Sequence, residues 1–311
     1  MKRETAVYMK TQRKPALLLT ACIMILTVLG CSTHEPPVIF TFVHASDLHI
    51  TEANNGVGGV QQCIETINSL LPDFVVTGGD HVMNANDVSF EEASALFDLW
   101  DQQVGLFKMP VYYSVGNRDL FGIAPQAGIS PDDPNYSNGM IKERLCEGKT
   151  YYSFDHKGWH FIVLDSAKPA ESRAGYAGFI DRDQIEWLQN DLEAAGAGVP
   201  KIIVTHIPVY SVYNMVLRGS MTPPDPSLMI QNTRALRGLF EKNNVKMVLQ
   251  GHVHIYESIE FNGIKYISTG AVSGAKWRGP NAGTPEGFGV ISCTATEADY
   301  TYTTYGWEAQ R

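Results

Sequence analysis

"VKMVLQGHVH", Val245 to His254, is an apolar, β-branched run that stops at a glycine and then presents two histidines separated by one residue. Such a run reads as a buried strand, and the glycine as the point where the chain turns out of a sheet. Side chains two apart on an extended chain point the same way. His252 and His254 are therefore expected to converge on one point just past the sheet edge.

The same layout occurs four more times. "VIFTFVHASDLH" (Val38–His49) ends in Asp47 and His49, "DFVVTGGD" in Asp80, "VYYSVGN" in Asn117, and "KIIVTHIP" places His206 near its end. Further strands are read at "YYSFD", "WHFIVLDS", "IKYISTGA" and "FGVISCTA". Helical spacing of apolar residues is read near Val60 to Leu71, Phe90 to Gln103, Asp183 to Ala195 and Pro226 to Asn243. The switching between the two periods predicts an α/β protein. Two tight hairpins, "DHKGW" around Lys157-Gly158 and "FNGI" around Asn262-Gly263, require antiparallel pairs as well. Two mixed sheets packed face to face, with helices outside, accommodate both. Long polar loops at Phe121–Thr150, Ala167–Asp181, Val209–Ser227 and Trp277–Gly287 are expected to be functional or mobile.

The N-terminus is of another kind. Lys2, Arg3, Lys10, Arg13 and Lys14 precede the apolar run Ala16–Leu29, the layout of a signal peptide. The run is shorter than the roughly 20 residues of a membrane-spanning helix. It ends "VLGC", which resembles the lipobox where bacterial lipoprotein precursors are cleaved and acylated. Residues 1–30 are thus expected to be a lipoprotein signal peptide, Cys31 the lipidation site, 31–37 a tether and 38–311 the enzyme-sized domain. The expected location is the periplasmic face or outer membrane of a bacterium, reached through the lipid anchor. Loss of residues 1–30 takes five basic and one acidic side chains and moves the formal charge from −9 to −13. Such an acidic chain is not a general nucleic-acid binder. Beyond Cys22 and Cys31 only Cys63, Cys146 and Cys293 remain, so at most one disulfide forms and no cysteine metal site is suggested.

Two Asp, one Asn and four His at strand ends are oxygen and imidazole donors suited to Zn, Mn or Fe. Seven donors exceed the needs of one ion with an open position and suit two ions if a carboxylate bridges them. The ordered set "DLH", "GGD", "GNRD", "TH" and "GHVH" resembles the calcineurin-like metallophosphoesterases, whose signature is D-x-H, G-D, G-N-H-[DE], H and G-H-x-H. The segments "YYSFDHKGWHFIVLDS" and "DQIEWLQNDLEAA" are similar to extracytoplasmic, purple-acid-phosphatase-like members. The resemblance implies a four-layer αββα sandwich. It implies one metal on Asp47, His49 and His254, another on Asn117, His206 and His252, and Asp80 as the bridge. It also implies dimetal hydrolysis of a phosphodiester, pyrophosphate or phosphomonoester by metal-activated hydroxide. A phosphate-ester small molecule, or a lipid or glycan headgroup, is the implied partner.

This chain departs from the signature at Arg118, where the family usually has His. Arg does not act as a general acid, since its pKa exceeds ~12, but it grips phosphate oxygens. Substrates whose leaving group needs no protonation are expected to gain. Asp119 is retained and is expected to orient Arg118. "GNRD" is also similar to bacterial UDP-diacylglucosamine pyrophosphate hydrolases, which carry Arg here and work at the cytoplasmic face. A rival from another class is a non-catalytic, metal-stabilised lipoprotein that binds phosphorylated ligands. His81 reads as a neighbour of the ligands rather than one of them, and Asn84 as either an orienting or a turn residue. Tyr210, Tyr213, Arg218 and Trp277 are candidates for shaping a substrate pocket.

Overall fold

The computed structural model describes residues 36–146, 148–170, 175–219 and 225–309. The expected signal peptide and Cys31 lie outside them. In chain order the elements are β1 (Phe40–Ala45), α1 (Gly56–Leu70), β2 (Phe74–Thr77), α2 (Phe90–Val104), β3 (Val111–Tyr112), α3 (Gly139–Arg144), β4 (Tyr152–His156) and β5 (Trp159–Leu164). Then come β6 (Ala167–Pro169), β7 (Tyr176–Gly178), α4 (Arg182–Ala195), β8 (Lys201–Thr205), α5 (Tyr213–Arg218), α6 (Thr233–Lys242), β9 (Val245–Gln250), β10 (Glu257–Phe261), β11 (Ile264–Ser268), β12 (Gly287–Cys293) and β13 (Ala298–Thr304).

Two mixed sheets result. One has the order β13-β12-β1-β2-β3 and the other β10-β11-β9-β8-β5-β4, with β6-β7 as a separate ribbon. β1, β2 and β3 are parallel, as are β5, β8, β9 and β11, so the chain leaves these strands toward common edges. The hairpin turns fall where expected: Lys157-Gly158 and Asn262-Gly263 have φ of 46°, 85°, 51° and 75°, the positive pairs of a type I′ turn.

Alternation along the strands builds the layers. Phe161 and Val163 of β5, Ile202 and Val204 of β8, and Met247 and Leu249 of β9 face Phe42, Phe74 and Ile291 of the other sheet. Phe42 and Phe74 stack 4.9 Å apart and both meet Phe161 edge-on at 5.2 Å. The intervening Ile162, Leu164, Ile203 and Val248 pack outward with Leu188 and Leu192 of α4 and Leu236 and Phe240 of α6. On the other side Val43 and Val75 share the outer core with Ile64 and Ile67 of α1 and Phe97 and Trp100 of α2. Both faces of each central strand are buried, which is why the sequence runs are continuously apolar rather than alternating. Each large side chain so buried contributes about 1.5–3 kcal/mol. Ser89 and Glu92 close a capping box on α2, and Asp181 caps α4.

Several boundaries differ from expectation. The strand expected over Val111–Asn117 is confined to Val111–Tyr112, although Ser114 N–H still donates to Thr77 O at 3.2 Å before the chain reaches Asn117. The helix expected from Pro226 begins at Thr233. The long loops contain α3, the β6–β7 ribbon and α5, which are too short for periodicity to expose. β13, not expected, pairs along all of β12. Cys63, Cys146 and Cys293 are free and buried.

Candidate metal centre

The ligand residues lie just beyond the strands, not on them. β1 ends at Ala45, and Asp47 and His49 adopt left-handed φ of 57° and 44°; Asp80, His252 and His254 do the same at 54°, 72° and 57°. The alternation expected for Asp47/His49 and His252/His254 is therefore replaced by tight loops, which bring Asp47 and His49 to one donor group but send His252 and His254 to different ones. Such conformations cost non-glycine residues of order 1–3 kcal/mol each and collect at functional sites. Main-chain bonds hold them: Asp47 N–H to Gly79 O at 3.0 Å, His49 N–H to Asp80 O at 2.9 Å and Ile50 N–H to His81 O at 2.8 Å. Gly79, just before Asp80, supplies a turn with φ 88°. Gly116 supplies room instead, since a Cβ there would fall 2.0 Å from the Asp80 nitrogen and 2.3 Å from its Oδ1.

All seven expected ligands meet in one place. His49 Nε2 and His254 Nε2 are 3.0 Å apart, and His254 Nε2 is 3.2 Å from Asp47 Oδ1. His206 Nε2 lies 2.9 Å from Asn117 Oδ1 and 3.3 Å from Asp80 Oδ1, while Asp80 Oδ2 lies 3.5 Å from His49 Nε2. Asp80 thus presents one oxygen to each half of the cluster, Asp47–His49–His254 and Asn117–His206–His252. Asp47 and Asp80 with His49 and His254, and Asp80 with His206 and His252, form two groups of donors able to hold an ion.

The donor chemistry fits cations. His206 Nδ1–H donates to Gly78 O and His254 Nδ1–H to Gly274 O, each at 2.7 Å, so both rings turn the Nε2 lone pair into the cluster. Nitrogen and oxygen lone pairs then face one another, an arrangement that a positive ion makes favourable. Asp47 Oδ1 and His252 Nε2 are buried without a hydrogen-bond partner. Asp47 Oδ2 is held by Ser46 Oγ–H at 2.6 Å and His252 N–H at 2.9 Å. Burial pushes His252 down to about 3, with His206 adding to the effect, so its ring is neutral near neutral pH. Burial would raise Asp47, but His254, His206 and His49 hold it well below the usual carboxylate range. Asp80, raised by burial to about 6, is opposed by His206 and pushed further by Asp47 and Asp119.

Asp119 does not orient Arg118. Its Oδ2 accepts from the main-chain N–H of Gly116 at 2.9 Å and Asp80 at 3.0 Å and lies 3.0 Å from His81 Nδ1, while Oδ1 accepts from His81 N–H at 2.8 Å. It is a buried clamp joining the "GGDH" and "GNRD" loops. His81, fixed by Asp119 and by Thr77 Oγ1 at 2.7 Å, stays out of the cluster. Arg118 instead donates from its main-chain N–H to Asp80 Oδ1 at 2.6 Å and from Nη1 to Asn84 Oδ1 at 3.2 Å. Asn84 is thus the residue that places the guanidinium.

A cavity of about 300 Å³ opens over the ligands, lined also by Arg118, Tyr176, Tyr213, Lys276, Arg278 and Asn281. Of the pocket candidates named from sequence, Tyr213 lines it and Trp277 lies buried beneath it. Tyr210 packs against Tyr266 beside a different, apolar cavity, and Arg218 is not on the wall. Tyr176, whose ring stands at 90° to His252 at 5.7 Å, and Lys276, Arg278 and Asn281 were missed. No spacing rule marks them, since each comes from a loop brought in by the fold.

Residues 40–256 match the family model described as calcineurin-like phosphoesterase. The chain belongs to this family. As a calcineurin-like phosphoesterase it is similar to purple acid phosphatase 21 of Arabidopsis thaliana, 33% identical over 117 residues, which are 37% of this chain and 23% of the plant protein. It is also similar to a cAMP/cGMP dual specificity phosphodiesterase of Mycobacterium tuberculosis, 21% identical over 248 residues, 75% of this chain and 67% of that protein. The plant relatives are longer, and the alignments cover 23% and 33% of them. Among solved structures the fold matches a dimetal phosphatase from Danio rerio with a TM-score of 0.59 and 14% identity, over 86% of this chain and all of that one. The two mixed sheets and flanking helices are those of the calcineurin-like phosphoesterase fold, and the Asp/His cluster suits two metal ions.

Proposed function

We propose that this calcineurin-like phosphoesterase is a metal-dependent phosphoric ester hydrolase, exported and membrane-anchored through Cys31, that cleaves phosphodiesters or pyrophosphates. The observation that carries the reading is the facing of His206 Nε2, Asn117 Oδ1, His254 Nε2 and His49 Nε2 around the two oxygens of Asp80 and Oδ1 of Asp47. Asp47, His49 and His254 would hold one ion and Asn117, His206 and His252 the other, with Asp80 shared. Bound there, the pair supplies Lewis acidity toward phosphate and acidifies water. The donor set admits Zn, Mn or Fe.

The chain's own residues set the substrate. Arg118, placed over the ligands by Asn84, grips a phosphate oxygen and stabilises charge as it develops. It does not deliver a proton to the leaving group, so leaving groups that depart as stable anions are favoured: a nucleotide, a phosphate or an activated alcohol. The similarity to a cAMP/cGMP phosphodiesterase supports a diester or nucleotide substrate. Export is supported by the basic segment, apolar run and "VLGC" of the N-terminus. Steady-state kinetics of the metal-loaded protein with an alkyl phosphomonoester, a phosphodiester and a pyrophosphate ester test this order. The reading expects the monoester to be slowest by at least tenfold; equal rates on all three contradict it.

A further inference from the structure

We propose that Lys276 and Arg278 form a subsite for a second anionic group of the substrate, so that the preferred substrate is a diphosphate ester or a phosphoester carrying a neighbouring anion. The inference rests on the phosphoesterase reading and extends it to residues outside the ligand motifs.

The wall of the cavity carries the argument. Arg118, Lys276 and Arg278 all line it, and among the described residues Asp80 is the only carboxylate that does. None of the three cations lies within ion-pair distance of a carboxylate among the described residues. This cationic mouth sits on a chain with a formal charge of −9. Two divalent ions would exceed the charge of Asp47 and Asp80 by two, which a phosphate dianion already balances. With Arg118 taken by the reacting phosphate, Lys276 and Arg278 are left on the same wall for an anion that a simple monoester does not bring.

The placement of Lys276 is built rather than incidental. Lys276 and Trp277 have φ of 57° and 65°, a conformation that bulky residues rarely adopt. The fully buried Trp277 indole donates from Nε1 to His49 O at 2.9 Å, and its N–H donates to Ser273 O at 2.7 Å. Its ring lies against α1 at Gly59, where a Cβ would fall 2.1 Å from it. Lys276 is therefore fixed to the same loop that carries the ligand His49. Arg278 is anchored by its Nε–H to Ala275 O at 3.2 Å. Burial, and then the charge of Arg118, lowers the Lys276 ammonium below its ordinary value, with Asp80 and Asp47 opposing and Arg278 adding to the effect.

Calorimetric titration of the manganese-loaded full chain with methylphosphonate, methylenediphosphonate and phosphonoacetate tests the subsite, with metal content measured before and after. Wild type is expected to bind the diphosphonate at least tenfold more tightly than methylphosphonate. Lys276→Met and Arg278→Met are each expected to reduce that ratio by threefold or more, and Lys276→Arg to retain it. If phosphonoacetate gains as much as the diphosphonate, the second anion is a carboxylate or phosphate alike; if only the diphosphonate gains, it is a phosphate. Methylphosphonate binding with no advantage for either two-headed ligand, or a ratio unchanged in the double variant at constant metal content, overturns the subsite alone. Failure of every ligand to bind the metal-loaded protein overturns the phosphoesterase reading with it.

Discussion

The main-chain N–H of Arg118 donates to Oδ1 of Asp80 at 2.6 Å, and the Arg118 guanidinium donates to Asn84 at 3.2 Å. The one position that departs from the family signature is thus tied to the shared carboxylate by its backbone and aimed over it by its side chain. Its backbone role survives any substitution other than proline, so the side chain can be tested by itself. Arg118→Ala is expected to lower kcat/KM on a phosphodiester by about 10²-fold, the scale of losing one charge-stabilising donor. Arg118→His is expected to raise turnover of alkyl phosphomonoesters relative to pyrophosphates. Steady-state kinetics on the three substrates reads both.

Asp119 is a clamp beneath the site, with both oxygens taken by Gly116, Asp80 and His81. Asp119→Asn leaves buried N–H groups competing for one acceptor, a loss of about 1–3 kcal/mol. Denaturant unfolding should report that loss, with weaker metal retention on dialysis. Unchanged stability together with a large loss of turnover would instead assign Asp119 to the chemistry.

Gly116→Ala places a Cβ 2.3 Å from Asp80 Oδ1 and must move the shared carboxylate. Metal content is expected to fall from two ions per chain to one or fewer. The secondary structure, read by circular dichroism, should persist because the sheets are built elsewhere.

His160 lies 2.9 Å from Asp191 and 2.7 Å from Asp155, far from the metal ligands in sequence and on the β4–β5 side of the second sheet. Burial opposes its charged form, yet the hydrogen bonds to Asp191 and Asp155 raise its pKa above the ordinary value. A group raised in the folded state stabilises it fully below the unfolded value of about 6.5, and that gain fades as pH rises through the folded value. Asp191→Asn should therefore cost about 1 kcal/mol near pH 5.5 and less near pH 9. Thermal melts at the two pH values check the sign.

Much of this architecture was legible in the residues. The sandwich core is written as continuous apolar runs because β5, β8 and β9 are buried on both faces, and Lys157-Gly158 and Asn262-Gly263 name their own turns. The ligand types were legible because Asp47, Asp80, Asn117 and the histidines interrupt apolar runs at their ends. Their mode of convergence was not, since a left-handed φ at a non-glycine such as His49 leaves no mark in sequence. The partners of Asp119 were not legible, because the resemblance has this carboxylate orienting its neighbour, whereas the loop turns it inward to Gly116, Asp80 and His81. Lys276 and Tyr176 belong to loops whose position over the ligands depends on the whole fold. β13 does alternate, with Asp299 and Thr301 exposed between Ala298, Tyr300 and Tyr302, but tyrosine against threonine is a weak contrast beside the continuous apolar runs of the central strands.

On the proposed reading, one buried cluster would hold two ions and turn over a phosphoester with their help. Elemental analysis of the protein loaded separately with Mn, Zn and Fe, combined with hydrolysis of bis-p-nitrophenyl phosphate by the same samples, tests it most directly. Two ions per chain, turnover that chelation abolishes, and loss of both in Asp80→Ala are expected. Two bound ions with no turnover under any metal would contradict the enzyme and leave a binding protein in its place.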